Sequence, residues 1–139
     1  MKSGLIRFTV PIGIGIIIWV FAFFLVGYTR MPGGPAELYL PMVALVGIVW
    51  TVLALFVFQW YAKKWQIGAE WFREAVLFGL TITILQFVLD FCVFLNFLSY
   101  TIETFVTEYL LKSTVLVMYP FITVEIVVIA YLLRRFKRI

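Results

Sequence analysis

The sequence predicts an all-α fold, a four-helix transmembrane bundle, from two observations. Of its 139 residues, 65% are hydrophobic and only 13% are charged, whereas a soluble domain is about 25% charged. The apolar residues are collected in four blocks, and each block reaches the roughly 20 residues that an α-helix needs to cross about 30 Å of hydrocarbon. We therefore expect a single integral membrane domain, residues 1–139, embedded in a lipid bilayer. Short connections favour an up-and-down arrangement.

The predicted helices cover about residues 10–28, 38–61, 75–99 and 113–133. The first block follows Lys2 and Arg7, as the core of a signal peptide would. Its apolar run is too long for a signal core, so we interpret it as a retained helix. The connection at residues 100–112 alternates apolar and acidic side chains, which predicts a short interfacial helix that lies flat on the outer surface.

The basic residues are unevenly distributed among the connections and tails. Only Arg30 and Lys112 fall in the first and third connections. The others precede helix 1, join helices 2 and 3 or follow helix 4: Lys2, Arg7, Lys63, Lys64, Arg73, Arg134, Arg135, Lys137 and Arg138. Because positive residues stay on the cytoplasmic side during insertion, this bias predicts that both termini are cytoplasmic. Topology and contact with lipid headgroups account for these residues, so the basic charge does not indicate a nucleic-acid partner.

Two acidic residues lie inside predicted spans, Asp90 in helix 3 and Glu125 in helix 4. A charged group near the centre of a bilayer costs at least about 2.5–3.5 kcal/mol, so such residues indicate a functional or a packing role. Gly79, Thr83 and Gln86 share a helical face with Asp90. This small and polar stripe predicts that the face looks into the bundle or onto a partner subunit.

Pro120 lies five residues before Glu125. A proline inside a helix removes a backbone hydrogen bond and predicts a kink, which can open room for water or an ion beside Glu125. The helical rise separates the two acids by roughly 10 Å along the bundle axis, which argues against a direct pair.

Two interpretations of the buried acids remain open. Burial favours the neutral form of a carboxyl group, and a neutral acid can bind and release a proton. Asp90 and Glu125, with Gln86 and Thr83, are therefore candidates for a proton or cation site. Alternatively, both acids are protonated and hydrogen-bonded between helices, where such bonds contribute about 1 kcal/mol each.

Glu74 opens helix 3, where a carboxylate suits a helix N-terminus, and it is placed to pair with Lys63, Lys64 or Arg73. We expect a capping role there.

Helix 2 carries small residues at helical spacing: Ala44, Gly47, Thr51 and Ala54. Such a stripe lets a neighbouring backbone approach closely. We expect Gly47 and Thr51, like Gly79 and the kink at Pro120, to shape helix packing, within the chain or between copies.

The chain has no histidine and a single cysteine, Cys92. A haem, zinc or iron–sulfur centre is therefore not expected, and no other cofactor is predicted; whether a simple metal ion binds stays open. Serine–histidine and cysteine–histidine catalysis lack their base. We do not expect an enzyme.

The second half of the chain resembles a group of small prokaryotic membrane proteins with four predicted helices. The resemblance rests on Glu74 and Asp90 in one helix and on the runs Tyr109-Leu110-Leu111, Tyr119-Pro120-Phe121-Ile122-Thr123 and Tyr131-Leu132-Leu133. It departs at Glu125, where that group has a small residue. The resemblance implies a four-helix, multi-pass protein of a prokaryotic cytoplasmic membrane, and it implies no activity.

The sequence thus predicts a small polytopic membrane protein, and two functions remain open. One is an ion- or proton-linked transporter or channel component that uses its intramembrane carboxyl groups. Four helices enclose little volume, so this function predicts a homo-oligomer. The other is a non-catalytic accessory subunit or assembly partner of a larger membrane complex, docked on another membrane protein.

Overall fold

The computed structural model describes residues 2–27, 39–111 and 115–139. Helices account for most of these residues, and no strand occurs among them. The four long helices are α1 (Lys2–Ala22, continued as a π-helix over Phe23–Gly27), α2 (Tyr39–Lys64), α3 (Trp71–Asn96) and α4 (Val115–Arg135). A further short element, which we call the loop helix, is α-helical over Ile102–Thr104 and π-helical over Phe105–Leu111.

All four long helices contain a segment long and apolar enough to cross a membrane. The segments are Gly4–Val26, Leu40–Lys64, Gly68–Asn96 and Leu116–Arg135, with mean hydropathies between 2.2 and 2.5. This confirms the predicted all-α class. By length and composition, the described helices are those of a multi-pass membrane protein.

The helices differ from their predicted bounds mainly at their first residues. Helix α1 begins at Lys2 rather than near residue 10, and α3 begins at Trp71 rather than near residue 75. Hydropathy marks where a helix becomes apolar, whereas the backbone turns helical earlier, through charged residues such as Arg7 and Glu74. Helix α4 continues through Pro120, whose ring is exposed.

The bundle is held together by α3, which packs mainly against α4 and α1, while α2 packs against α4 and α1. Phe58, Phe78, Ile82 and Ile126 lie in the common core and are at most 2% exposed. The outward faces carry large apolar side chains on every long helix, including Ile17, Ile48, Phe56, Ile84, Val117 and Phe121.

Glycine sets the closest approach between α3 and α4. A Cβ atom added to Gly79 would lie 2.7 Å from the Cα atom of Thr123, a distance that real Cβ atoms do not tolerate. Gly15 of α1 similarly faces Leu85 of α3, where an added Cβ would lie 2.8 Å from a side-chain methyl group. Both glycines therefore let α3 approach its neighbours.

One end of the bundle, which we call the basic end, joins all four long helices. Glu74 of α3 forms an ion pair with Arg7 of α1 at 3.5 Å and accepts a hydrogen bond of 2.7 Å from Tyr61 of α2. Arg134 of α4 donates to the carbonyl oxygen of Gly68 at 2.7 Å, just before α3. Lys63, Lys64, Arg73 and Arg135 belong to the same end; Arg30 and Lys112 lie outside the described residues.

Candidate functional site

The carboxyl group of Asp90 is the meeting point of three hydrogen bonds. The indole Nε1 of Trp19 donates to Oδ1 at 2.8 Å. The hydroxyl of Tyr109 donates to Oδ2 at 2.8 Å, and the hydroxyl of Tyr119 donates to the same oxygen. These donors come from α1, the loop helix and α4, so a single side chain of α3 connects three other elements.

The loop helix reaches Asp90 because the chain turns back sharply after α3. Ser99 adopts a left-handed conformation with φ 57°, and Thr101 then caps the loop helix through reciprocal bonds with Thr104. Phe105 and Leu110 are buried against the aromatic rings of α3 and Tyr119. Phe105 and Leu110 pack against the bundle because aromatic side chains on α3 offer them a partner, whereas Ile102 and Leu111 are exposed. The expected position of this helix, flat on the outer surface, stays a prediction.

The donors around Asp90 match an ionised carboxylate, and only one of its two oxygens could take up a proton without losing its partner. A carboxylate accepts all three bonds, and an indole N–H can only donate. A proton on Oδ1 would therefore clash with Trp19, whereas a proton on Oδ2 could be donated to a tyrosine oxygen, which accepts as well as donates. A metal cation would instead need several oxygen ligands, and no cluster of three or more acidic, cysteine or histidine residues occurs in the described part of the chain.

Glu125 forms a second, separate site with two residues of α2. Trp50 donates from Nε1 to Oε2 at 2.7 Å, and the Thr51 hydroxyl lies 2.5 Å from Oε1. That hydroxyl also lies 2.9 Å from the carbonyl oxygen of Gly47. A threonine hydroxyl has a single hydrogen, so it cannot satisfy both acceptors fully.

Each of the three acids in these contacts, the buried Glu74 and the partly buried Asp90 and Glu125, is thus bound by an aromatic donor from another helix. Asp90 has Trp19 and two tyrosines, Glu125 has Trp50, and Glu74 has Tyr61.

Comparison of the chain with known protein families, curated proteins and solved structures found no match. The function must therefore be inferred from these side chains, and the resemblance of the second half to a prokaryotic group stays a prediction.

Thr83 and Gln86, which were expected to assist Asp90, bind backbone atoms of neighbouring helices instead. Thr83 donates to the carbonyl oxygen of Tyr119 at 3.0 Å and lies 3.0 Å from the hydroxyl of Thr123. Gln86 donates from Nε2 to the carbonyl oxygen of Gly15 at 2.7 Å. The two residues act on Asp90 only indirectly, by setting the positions of α4 and α1.

The residues expected in helix packing have different environments. Gly79 lies at the α3–α4 contact, as described above. Gly47 is exposed, and an added Cβ would meet no described atom within 4 Å. Thr51 and Pro120 are also exposed. The close approach expected at Gly47 is therefore absent among the described residues, because Ala44, Gly47 and Thr51 of the small stripe are exposed. Helix α2 packs inward through Ala54, the last residue of that stripe, and through Phe58.

Glu74 does not cap α3. The helix begins three residues earlier, at Trp71, and the carboxyl group turns into the bundle toward Arg7 and Tyr61. The predicted partners Lys63 and Lys64 are exposed. Arg73 pairs instead with Glu70 at 3.4 Å. Arg7 was missed as a partner because α1 begins earlier than its hydropathy indicated.

Sequence reasoning also missed Trp19, Trp50, Tyr109 and Tyr119. One signal was available, since an indole or phenol inside a membrane span needs a polar partner when it is buried. A buried acid therefore indicates that some aromatic donor lies nearby, although only the packing of the helices decides which one.

Proposed function

We propose that this chain is a multi-pass membrane protein with both termini on the cytoplasmic side, acting as a proton-linked transporter or channel component. The basic end described above corresponds to the cytoplasmic face. The observation that supports a proton-linked role is that Asp90 binds Trp19, Tyr109 and Tyr119, which lie on three different elements.

Proton binding at Asp90 would change how these elements are connected. In the ionised form, both tyrosine hydroxyls donate to Oδ2. A proton on Oδ2 turns this oxygen partly into a donor, so one tyrosine must rotate its hydroxyl and accept instead. The hydrogen bonds that attach the loop helix or α4 then weaken or exchange. Protonation of one side chain is thereby coupled to the position of the loop helix, which is the requirement of a proton-linked conformational change.

A transport path would lie between copies of the chain. The interior of the bundle is filled by large side chains such as Phe58, Phe78 and Ile82. A monomer of four helices with such a core leaves little room for a substrate. This supports the expectation of a homo-oligomer.

The test is proton flux into proteoliposomes that contain the purified protein and a pH-sensitive dye, under an imposed pH gradient. We expect wild-type vesicles to equilibrate faster than protein-free vesicles. Asp90→Asn should reduce the rate to that of protein-free vesicles, because an amide cannot exchange the proton. A sodium or potassium gradient imposed in place of the pH gradient should drive no flux of that cation.

Two further variants make the flux experiment specific. Tyr109→Phe keeps the carboxyl group but removes one donor, and we expect an altered rate rather than its loss. Glu103→Gln is the matched control, because it removes an exposed acid from the loop helix. Wild-type vesicles without proton flux, or a folded Asp90→Asn that conducts normally, would contradict the proposal.

A second function, an accessory subunit or assembly partner, is favoured by the outward face of α2. Gly47 and Thr51 are exposed beside the partly buried Glu125. In a bilayer, small and hydrogen-bonding residues are those that helix–helix contacts use. A partner helix on this face would cover a carboxyl group that lipid cannot solvate.

Oligomeric state in mild detergent separates the two functions. A stable homo-oligomer favours transport, whereas a monomer that assembles with a defined partner protein favours the subunit role. Gly47→Leu should disrupt either assembly without destabilising the monomer, because the position is open. Val52→Leu, at another exposed position of α2, is the control.

A further inference from the structure

A small cavity of about 160 Å³ lies at the basic end, between the first turns of α1 and of α3. Its polar lining comes from Arg7, Tyr61, Arg73 and Glu74, and its apolar lining includes Phe8 and Leu77. The cavity is lined by Glu74, which lies 16 residues before Asp90 and so about 24 Å from it along the axis of α3. Its chemistry is therefore separate from the proton site.

The guanidinium group of Arg7 is only partly satisfied beside this cavity. Its Nη1 atom faces Glu74 at 3.5 Å, while its buried Nε atom has no hydrogen-bond partner among the described residues. A buried donor without an acceptor is costly, and more so when the group is charged. The Nε–H group of Arg7 therefore lacks a hydrogen-bond acceptor among the described side chains.

The charges around the cavity favour an anionic acceptor. Both oxygens of Glu74 are already engaged, one by Arg7 and the other by the Tyr61 hydroxyl. Arg73 adds a second guanidinium, and its pair with Glu70 is exposed and long, at 3.4 Å. Exposed ion pairs of this kind contribute little and are readily exchanged. Two guanidinium groups lining one cavity match the oxygens of a phosphate group, which arginine binds through paired N–H donors.

The position of the cavity along the helix favours a lipid as the source of that phosphate. Arg7 lies three residues after Gly4, where the candidate span of α1 begins, which is about 4.5 Å along the helix. Lipid headgroups meet the hydrocarbon region near the ends of a spanning helix. The walls formed by Phe8 and Leu77 continue the cavity onto the apolar outer surface, where they can contact the glycerol and the acyl chains.

We propose that this cavity binds the phosphate group of a phospholipid, held by the guanidinium groups of Arg7 and Arg73. The bound lipid joins α1 to α3 at the cytoplasmic face. The site goes beyond the proposed proton-linked function and does not depend on Asp90.

The test measures lipid binding to the full-length protein, purified in an uncharged detergent and freed of lipid. Short-chain phosphatidylglycerol, diacylglycerol of the same chain length and inorganic phosphate are each titrated. Native mass spectrometry gives the number of lipids bound, and thermal unfolding gives the affinity. We expect one phosphatidylglycerol per chain with a saturable rise in unfolding temperature. Diacylglycerol, which lacks the phosphate, should bind at least roughly tenfold more weakly.

Three variants locate the binding. The double variant Arg7→Gln with Glu74→Gln removes the guanidinium without leaving a buried carboxylate unpaired, and it should weaken phosphatidylglycerol roughly tenfold or more. Arg73→Gln changes an exposed side chain, so it reports on binding even if the double variant fails to fold. Arg135→Gln removes a basic residue of the same end that does not line the cavity, and it should leave the affinity unchanged.

Equal loss of affinity in Arg73→Gln and Arg135→Gln would overturn the proposal, because binding would then follow only the total positive charge. Unchanged binding in Arg73→Gln and in a folded double variant would overturn it as well. If inorganic phosphate binds as tightly as phosphatidylglycerol and is lost in the same variants, the anion site stands and the lipid assignment is overturned.

Discussion

The hydroxyl of Tyr109 donates a hydrogen bond of 2.8 Å to the carboxyl group of Asp90. This bond attaches the loop helix to the last turns of α3 and covers the acid with an aromatic ring. Phe105, which is 1% exposed, anchors the other end of the same element. Apolar contacts of Phe105 and Leu110 and the hydrogen bond from Tyr109 to Asp90 therefore all attach the loop helix to the bundle.

Removing the hydroxyl in Tyr109→Phe should loosen the loop helix without unfolding the bundle. A typical hydrogen bond contributes about 1 kcal/mol, so backbone amides of the loop helix should exchange with solvent several-fold faster. Hydrogen exchange followed by mass spectrometry measures this. Tyr100→Phe, in the same aromatic cluster, should show no such change, and equal effects of both variants would contradict the role of the Tyr109–Asp90 bond.

Amide substitutions should separate the two intramembrane acids. In Glu125→Gln, the amide oxygen can accept from Trp50 and the amide nitrogen can donate to Thr51, so we expect a loss of stability below about 1 kcal/mol. In Asp90→Asn, an amide nitrogen facing both tyrosines cannot accept their hydrogens, and we expect a loss of about 1–3 kcal/mol. Reversible unfolding in mixed detergent measures both values.

The two variants make the same acid-to-amide change in different environments. The ranking of their two losses of stability is therefore more informative than either loss alone. A larger loss of stability in Glu125→Gln than in Asp90→Asn would contradict this expectation, because the hydrogen bonds of Glu125 would then contribute more than those of Asp90.

Two glycine substitutions should have opposite effects. In Gly79→Ala, the added Cβ meets the backbone of Thr123 at 2.7 Å, so α3 and α4 must separate, and we expect a loss of about 1–3 kcal/mol. In Gly47→Ala, the added atom enters open space, and the helix gains up to about 1 kcal/mol from lower backbone entropy in the unfolded state. Thermal unfolding of the pair in one detergent tests this, and a comparable loss in both would show that Gly47 is covered.

Thr83 and Thr81 provide a matched pair on α3. Thr83 binds the carbonyl oxygen of Tyr119 on α4, whereas Thr81 donates to the carbonyl oxygen of Leu77 in its own helix at 2.8 Å. Thr83→Val should therefore cost about 0.6–1.7 kcal/mol, the range of hydrogen bonds between membrane helices. Thr81→Val should be close to neutral in the same unfolding measurement. An equal cost at the two positions would mean that Thr83 does not hold α4.

Much of the fold could be predicted because it depends on local properties of the chain. Long apolar blocks favour helices of spanning length, and the spacing of Gly79, Thr83 and Gln86 correctly indicated one inward face of α3. Helix starts were less accurate, because charged residues such as Arg7 continue a helix beyond its apolar part.

Composition and periodicity were enough to predict the helical class, the four apolar segments, the collection of basic residues at one end and the two acids that need an explanation. The partners of these acids became evident only from the packed bundle. Trp19 is 71 residues from Asp90, and Trp50 is 75 residues from Glu125, so no local pattern joins them. The physical reason is that periodicity shows which residues share a face of one helix, whereas the packing of side chains between helices decides what that face meets.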